Sequence, residues 1–66
     1  MNSGDLVSVH TDSPYYYTGM TQTGGYCDEN EILLFLETSK DFCGAFCSVL
    51  RKGIVVEIMT TLLVKL

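Results

Sequence analysis

Three cysteines and a single histidine are the residues in this chain best suited to chemistry. Cys27, Cys43, Cys47 and His10 together carry the three sulfurs and one nitrogen of a tetrahedral zinc site. Their spacing argues against it. Strong zinc ribbons pair their thiolates in Cys-x-x-Cys knuckles, and here the two nearest cysteines are separated by three residues. On an extended strand Cys43 and Cys47 stand about 13 Å apart, too far to share a metal or form a disulfide. No metal or other cofactor is expected.

Other catalytic groupings are as thin. Ser8, Ser13, Ser39 and Ser48 lack a second histidine and a glycine elbow. A cysteine nucleophile would need His10 to meet a low-pKa thiol, and no neighbouring residue acidifies one. Gly24-Gly25 is not followed by the lysine and serine or threonine of a phosphate loop. Asp28, Glu29 and Glu31 read as a solvated turn rather than a tuned acid–base pair. The chain is therefore expected not to be an enzyme.

The aromatic residues say more. Tyr15, Tyr16 and Tyr17 are consecutive. Neighbouring strand residues point to opposite faces, so one core cannot bury all three rings. Two readings stay open: an aromatic contact surface for a ligand, or a loop pinned by its own rings with each phenol reaching a backbone partner. Phe42 and Phe46 fall on the face opposite Cys43, Ala45, Cys47 and Val49. An exposed Phe46 would mark a second interface or a homodimer, and a bulge at Gly44 would turn Phe42 inward.

The elements that must position these residues are short. Leu6 to Val9 reads as a strand, and Thr11 to Pro14 as a loop. Gly19 and Gly24-Gly25 punctuate a second strand around Met20 to Thr23. Ile32 to Leu36, flanked by Glu31 and Glu37, has the length of a buried strand. Phe42 to Leu50 fits a helical i, i+3, i+4, i+7 pattern, but Gly44 interrupts it, and strand is the preferred reading. Lys52-Gly53 supports that reading as a two-residue hairpin turn. Counting outward, Arg51 opposes Ile54, Leu50 opposes Val55, Val49 opposes Val56, Ser48 opposes Glu57 and Cys47 opposes Ile58. This register puts Ser48 and Glu57 on one face and the apolar pairs on the other. Thr60-Thr61-Leu62 reads as a 3₁₀ turn before a last strand, Leu63 to Leu66. The expected core is Val7, Val9, Ile32, Leu34, Leu36, Val49, Val56, Ile58 and Leu62.

That order is five short strands, a long loop after the first, a tight late hairpin and a brief turn before the last. It resembles the SH3-like small β-barrel superfamily. The residues that carry the likeness are Gly4-Asp5-Leu6-Val7, Asp12-Ser13-Pro14-Tyr15-Tyr16, Val49 to Val56, and Thr61 to Leu66. The chain is similar to the small SH3-like proteins of bacteriophages. The resemblance implies one all-β domain over residues 1–66, a five-stranded barrel whose first long loop borders the ligand groove. The sequence has neither an Ala-Leu-Tyr-Asp-Tyr motif nor any tryptophan, so proline-peptide recognition is not carried over.

Composition bounds the rest. Sixty-six residues make one small domain, which buries only about 60% of its unfolded surface. Apolar residues are 47% and charged residues 18%, a balance that favours a folded core over a disordered tail. Eight acids against four bases leave a net charge of −4, which disfavours binding to a phosphate backbone. An odd number of cysteines and a polar, signal-free start point to reduced thiols in a cytoplasm. The apolar stretch Ile54 to Leu66 is 13 residues long and carries Glu57 and Lys65, too short and too charged to span a membrane.

The expected function is a non-enzymatic protein–protein interaction module, of the kind a phage accessory protein supplies, that binds a partner through Tyr15, Tyr16, Tyr17, Tyr26 and Phe46. A single-stranded nucleic-acid binder that stacks bases on tyrosines is the alternative, and a structural or assembly subunit the third reading.

Overall fold

The computed structural model of the chain describes residues 2–9, 12–17, 23–39 and 44–66. Its strands are β1 (Leu6–Val9), β2 (Ser13–Tyr17), β3 (Thr23–Cys27), β4 (Ile32–Thr38), β5 (Phe46–Arg51), β6 (Ile54–Met59) and β7 (Leu63–Lys65). A 3₁₀ turn, Thr60–Leu62, precedes β7. Every pairing is antiparallel, and the seven strands form one sheet in the order β3-β2-β6-β5-β4-β1-β7. The all-β reading holds. The five-stranded closed barrel does not: the described residues form seven strands, and among them the end strands β3 and β7 do not pair.

β2 takes in Ser13 and Pro14, which read as loop, and β3 takes in Gly24 and Gly25, which read as the end of a strand; the strand expected at Met20 to Thr23 lies outside the described residues except for Thr23. Ser13–Tyr17 pairs with Thr23–Cys27. Pro14 is tolerated because β6 pairs only with Tyr15 to Tyr17, which leaves β2 flanked on one side at the proline. Gly24 and Gly25 belong to β3 because the tyrosine rings of β2 lie against their backbone. A Cβ on Gly24 would stand 2.7 Å from the Tyr17 ring, and one on Gly25 2.8 Å from the Tyr15 hydroxyl.

Short connections force the sheet to coil. Residues 10–12 join β1 to β2, residues 28–31 join β3 to β4, and residues 60–62 join β6 to β7. Each joins strands four places apart in the order, about 19 Å across a flat sheet. Three- or four-residue connections reach only about 14–18 Å fully extended. The extents, 27 × 23 × 21 Å, are those of a rolled sheet rather than a flat one.

The inner face of the roll is the core: Val7, Val9, Tyr15, Cys27, Leu33, Phe35, Cys47, Val49, Val56, Ile58 and Leu63. Five of the expected core residues are there: Val7, Val9, Val49, Val56 and Ile58. On β4 the expected parity is inverted. Leu33 pairs with Val7 and Phe35 with Val49, so these two point inward. Leu34 and Leu36 are half-buried on the outer face, and Ile32 is exposed. A run of five apolar residues carries no alternation, so its partners decide which side is buried. For the same reason of register, Leu63 takes the core position expected of Leu62.

The late hairpin has the expected register at every pair from Cys47–Ile58 to Arg51–Ile54. Residues 46–51 are strand, not helix; Phe42 lies outside the described residues. Lys52 and Gly53 have φ of 52° and 81°, as a type I′ turn requires.

Two outcomes follow. Gly53→Ala, which meets no steric obstacle, should cost about 1–2 kcal/mol through backbone strain alone, while Lys52→Asn should stabilise; thermal melts read both. Phe35→Ala should cost about 3–5 kcal/mol and leave the domain largely unfolded. Leu34→Ala should cost far less, and urea titration would reverse the assigned parity if the two ranked the other way.

Candidate functional site

The five aromatic residues singled out from the sequence divide between the two faces of the sheet. Tyr15 and Tyr17 share the inner parity of β2, and Tyr16 the outer. Tyr15 is a core residue, 8% exposed, and Tyr17 sits at the rim, 40% exposed. Their rings meet edge to face at 5.8 Å. Tyr15 is thus held in the core, with the Arg51 side chain rather than a backbone group near its phenol, while Tyr17 lies open to solvent.

At the inner rim the rings meet an arginine. Arg51 ends β5 with the same inward parity as Cys47 and Val49. Its Nε donates to Glu31 Oε2 at 2.6 Å and its Nη2 to Oε1 at 3.1 Å. Its guanidinium carbon lies 4.7 Å from the centre of the Tyr15 ring, and Nη1 approaches the Tyr15 hydroxyl at 3.4 Å. Both charged side chains are 15% exposed, so this fork-shaped pair is better shielded than a surface ion pair. Glu31 is anchored in turn: its carbonyl accepts from Ser8 Oγ, and its carboxylate accepts from the Asp28 backbone. Tyr15, Tyr17, Arg51, Lys52, Ile54 and Val56 line an open cavity of about 90 Å³.

Burial raises the Glu31 carboxyl, but the hydrogen bond from Arg51 and that from Asp28 outweigh it and hold the carboxyl below its ordinary value. The Tyr17 side chain, and burial after it, raise the Tyr15 phenol against the pull of Arg51. Burial pushes both the Cys27 and Cys47 thiols up. Neither is a thiolate at neutral pH, and both fill core space as small apolar groups. Among the described residues no three His, Cys, Asp or Glu side chains are placed to hold a metal. His10 and Cys43, half of the zinc set, lie outside those residues.

The outer face carries the second aromatic group. Tyr16 and Phe46 stand on β2 and β5, on either side of β6, with backbones about 10 Å apart. Their rings meet across β6 at 5.8 Å and 70°. Met59 pairs with Phe46 and Glu57 with Tyr16, so both lie beneath or beside the aromatic bridge. Tyr26, opposite Pro14 on β3, extends the patch outward and is 64% exposed.

Sequence reasoning gave Arg51 only its place opposite Ile54 in the hairpin and took Glu31 as part of a solvated acidic turn. The hairpin register already held the missing signal, since counting back from Gly53 gives Arg51 the parity of Val49 and Cys47. No known protein family matches this chain, and neither a curated protein nor a solved structure does.

The Glu31 carboxyl is depressed in the folded state. Its contribution to stability is present above the unfolded-state value, near 4.3, and is lost as the pH falls through the folded one. Urea midpoints should separate wild type from Glu31→Gln at pH 6 and converge toward pH 3. A pH-independent gap would exclude the ion pair as the source.

Proposed function

We propose that this chain is a non-enzymatic protein–protein interaction module whose contact surface is the outer aromatic patch of Tyr16, Tyr26, Phe46 and Met59, bordered by Glu57. The observation that carries the reading is the placement of these side chains on one face of four adjacent strands, β3-β2-β6-β5, with Tyr26 largely in solvent. Tyrosine, phenylalanine and methionine are the residues enriched where proteins meet, because they offer large contact area at low entropic cost. Glu57 would orient a basic partner and speed its encounter.

Two features support a small SH3-like domain, of the kind bacteriophages encode as accessory proteins. One is the coiled antiparallel sheet with short crossings at its ends. The other is the 3₁₀ turn that leads into the last strand. The unpaired, buried thiols Cys27 and Cys47 accord with a reducing cytoplasm. Among the described residues no helix is long and apolar enough to cross a membrane. The single-stranded nucleic-acid reading is weaker. The net charge is −4, and Arg51 is engaged with Glu31.

The test is retention of a protein from a source-cell lysate on immobilised wild type and variants. Tyr26→Ala and Tyr16→Ala should each weaken capture of the same protein by about 30-fold, the loss of a 2 kcal/mol hot spot. Tyr17→Ala, on the other face, should leave it unchanged. Capture that survives both outer-face substitutions counts against the patch, and salt-sensitive oligonucleotide binding would favour the nucleic-acid reading.

A further inference from the structure

The mouth of the roll holds a cavity, on the opposite face of the sheet from the aromatic patch. It measures about 90 Å³ and is lined by Tyr15, Tyr17, Arg51, Lys52, Ile54 and Val56. The strand residues among these share inward parity: Tyr15 and Tyr17 on β2, Arg51 on β5, Ile54 and Val56 on β6. Val56 pairs with Tyr17, and Ile54 with Arg51. Val56 is 1% exposed, whereas Ile54, the next inward place toward the turn, is 52% exposed. The core stops short between them, over about 7 Å of strand, and leaves an apolar wall within reach of solvent.

We propose that this cavity binds a short aliphatic monocarboxylate, its tail against Tyr17, Ile54 and Val56 and its carboxylate between Lys52 and Arg51. Charge sets the head group. Among the described residues, those that line the cavity include two bases and no acid. Glu31 neutralises Arg51, so the two bases and Glu31 sum to one positive charge, which a single carboxylate matches. Lys52 forms no ion pair among the described residues. Glu31 takes two of the five donors of the Arg51 guanidinium. The Nη1 nitrogen has only its 3.4 Å contact with the Tyr15 hydroxyl and carries a second N–H beyond it.

Volume sets the tail. A cavity of about 150 Å³ accommodates benzene, so one of about 90 Å³ excludes an aromatic ring, and with it a stacked base. An inorganic anion would leave Ile54 and the Tyr17 ring uncovered, and a neutral hydrocarbon would leave Lys52 unanswered. One charge on a small apolar body answers both. The site is also formed in advance, as small-ligand sites usually are. Tyr15 is held between the edge-to-face ring of Tyr17 at 5.8 Å and the guanidinium of Arg51 at 4.7 Å, and Arg51 is fixed in turn by Glu31.

Amide NMR titration of the intact chain with sodium butyrate, at an ionic strength held constant with sodium chloride, tests the proposal. Saturable shifts should appear at Tyr17 and from Arg51 to Ile54. Butyramide, which lacks the charge, and acetate, which lacks the tail, should each bind about tenfold more weakly. Benzoate should not bind. Lys52→Asn should weaken butyrate about fivefold while raising the melting temperature, an opposition that a structural role for Lys52 alone would not produce. Ile54→Glu should abolish binding, with circular dichroism confirming that the variant is folded. Tyr26→Ala should leave the affinity unchanged, which separates this site from the aromatic patch. Shifts that never saturate with butyrate, or butyramide binding as tightly as butyrate, would overturn the carboxylate site. Benzoate binding as tightly as butyrate would overturn the size selection. Tighter binding by a tripeptide ending in valine would overturn a free acid as the ligand, in favour of a chain terminus.

Discussion

The length of three connections governs this molecule. Each of them must carry the chain past three intervening strand positions, and none is long enough to do so across a flat sheet. The sheet therefore rolls, and rolling gives it an interior. A chain of this size buries only a modest share of its surface. It makes a single sheet serve as its own second layer. Val7 and Leu63 from one end of the strand order come to share a core with Tyr15 and Cys27 from the other.

The rim of the roll shows how an open edge is managed. An inward arginine in an apolar core would be costly without a partner. Arg51 instead ends its strand where the interior meets solvent. There Glu31 takes two of its donors, and the Tyr15 ring covers its face. The tyrosine can approach because Gly24 and Gly25 leave no side chain beneath it. Arginine, tyrosine and glycine pair thus form one packed unit that links β5, β2 and β3 with the β3–β4 turn. Each member constrains the shape of the next.

Coiling also separates the molecule's surfaces by chemistry. Whatever points inward is committed to stability, including two of the three cysteines and the first tyrosine of the run. Whatever points outward is left over from the core. The outer face divides at the Ser48–Glu57 pair into an aromatic half and an aliphatic half. This division leaves two chemically distinct outer patches without enlarging the core. It also explains why the five aromatic residues could not act together: period-two geometry sends Tyr15 and Tyr17 to one side, and Tyr16, Tyr26 and Phe46 to the other.

The local signals were strong wherever polar and apolar residues alternate or a turn has its own chemistry. Lys52-Gly53 demands positive φ, Ser48 and Glu57 must share a face, and from these the late hairpin and its register were readable, including the inward parity of Arg51. The extent of β1, the 3₁₀ turn and half of the core were readable for the same reason. The parity of Ile32 to Leu36 was not, because a uniformly apolar run is indifferent to which side it buries until Val7 and Val49 take their places beside it. Nor was the strand character of Pro14 and of Gly24-Gly25, which local propensity marks as breakers. Only the tertiary structure supplies the missing neighbour on one side of the proline and the tyrosine rings that need a bare backbone. The sequence by itself determined what each short segment could pair with. The rolled sheet decided which side of each became interior, because burial belongs to the assembled surface and not to any one strand.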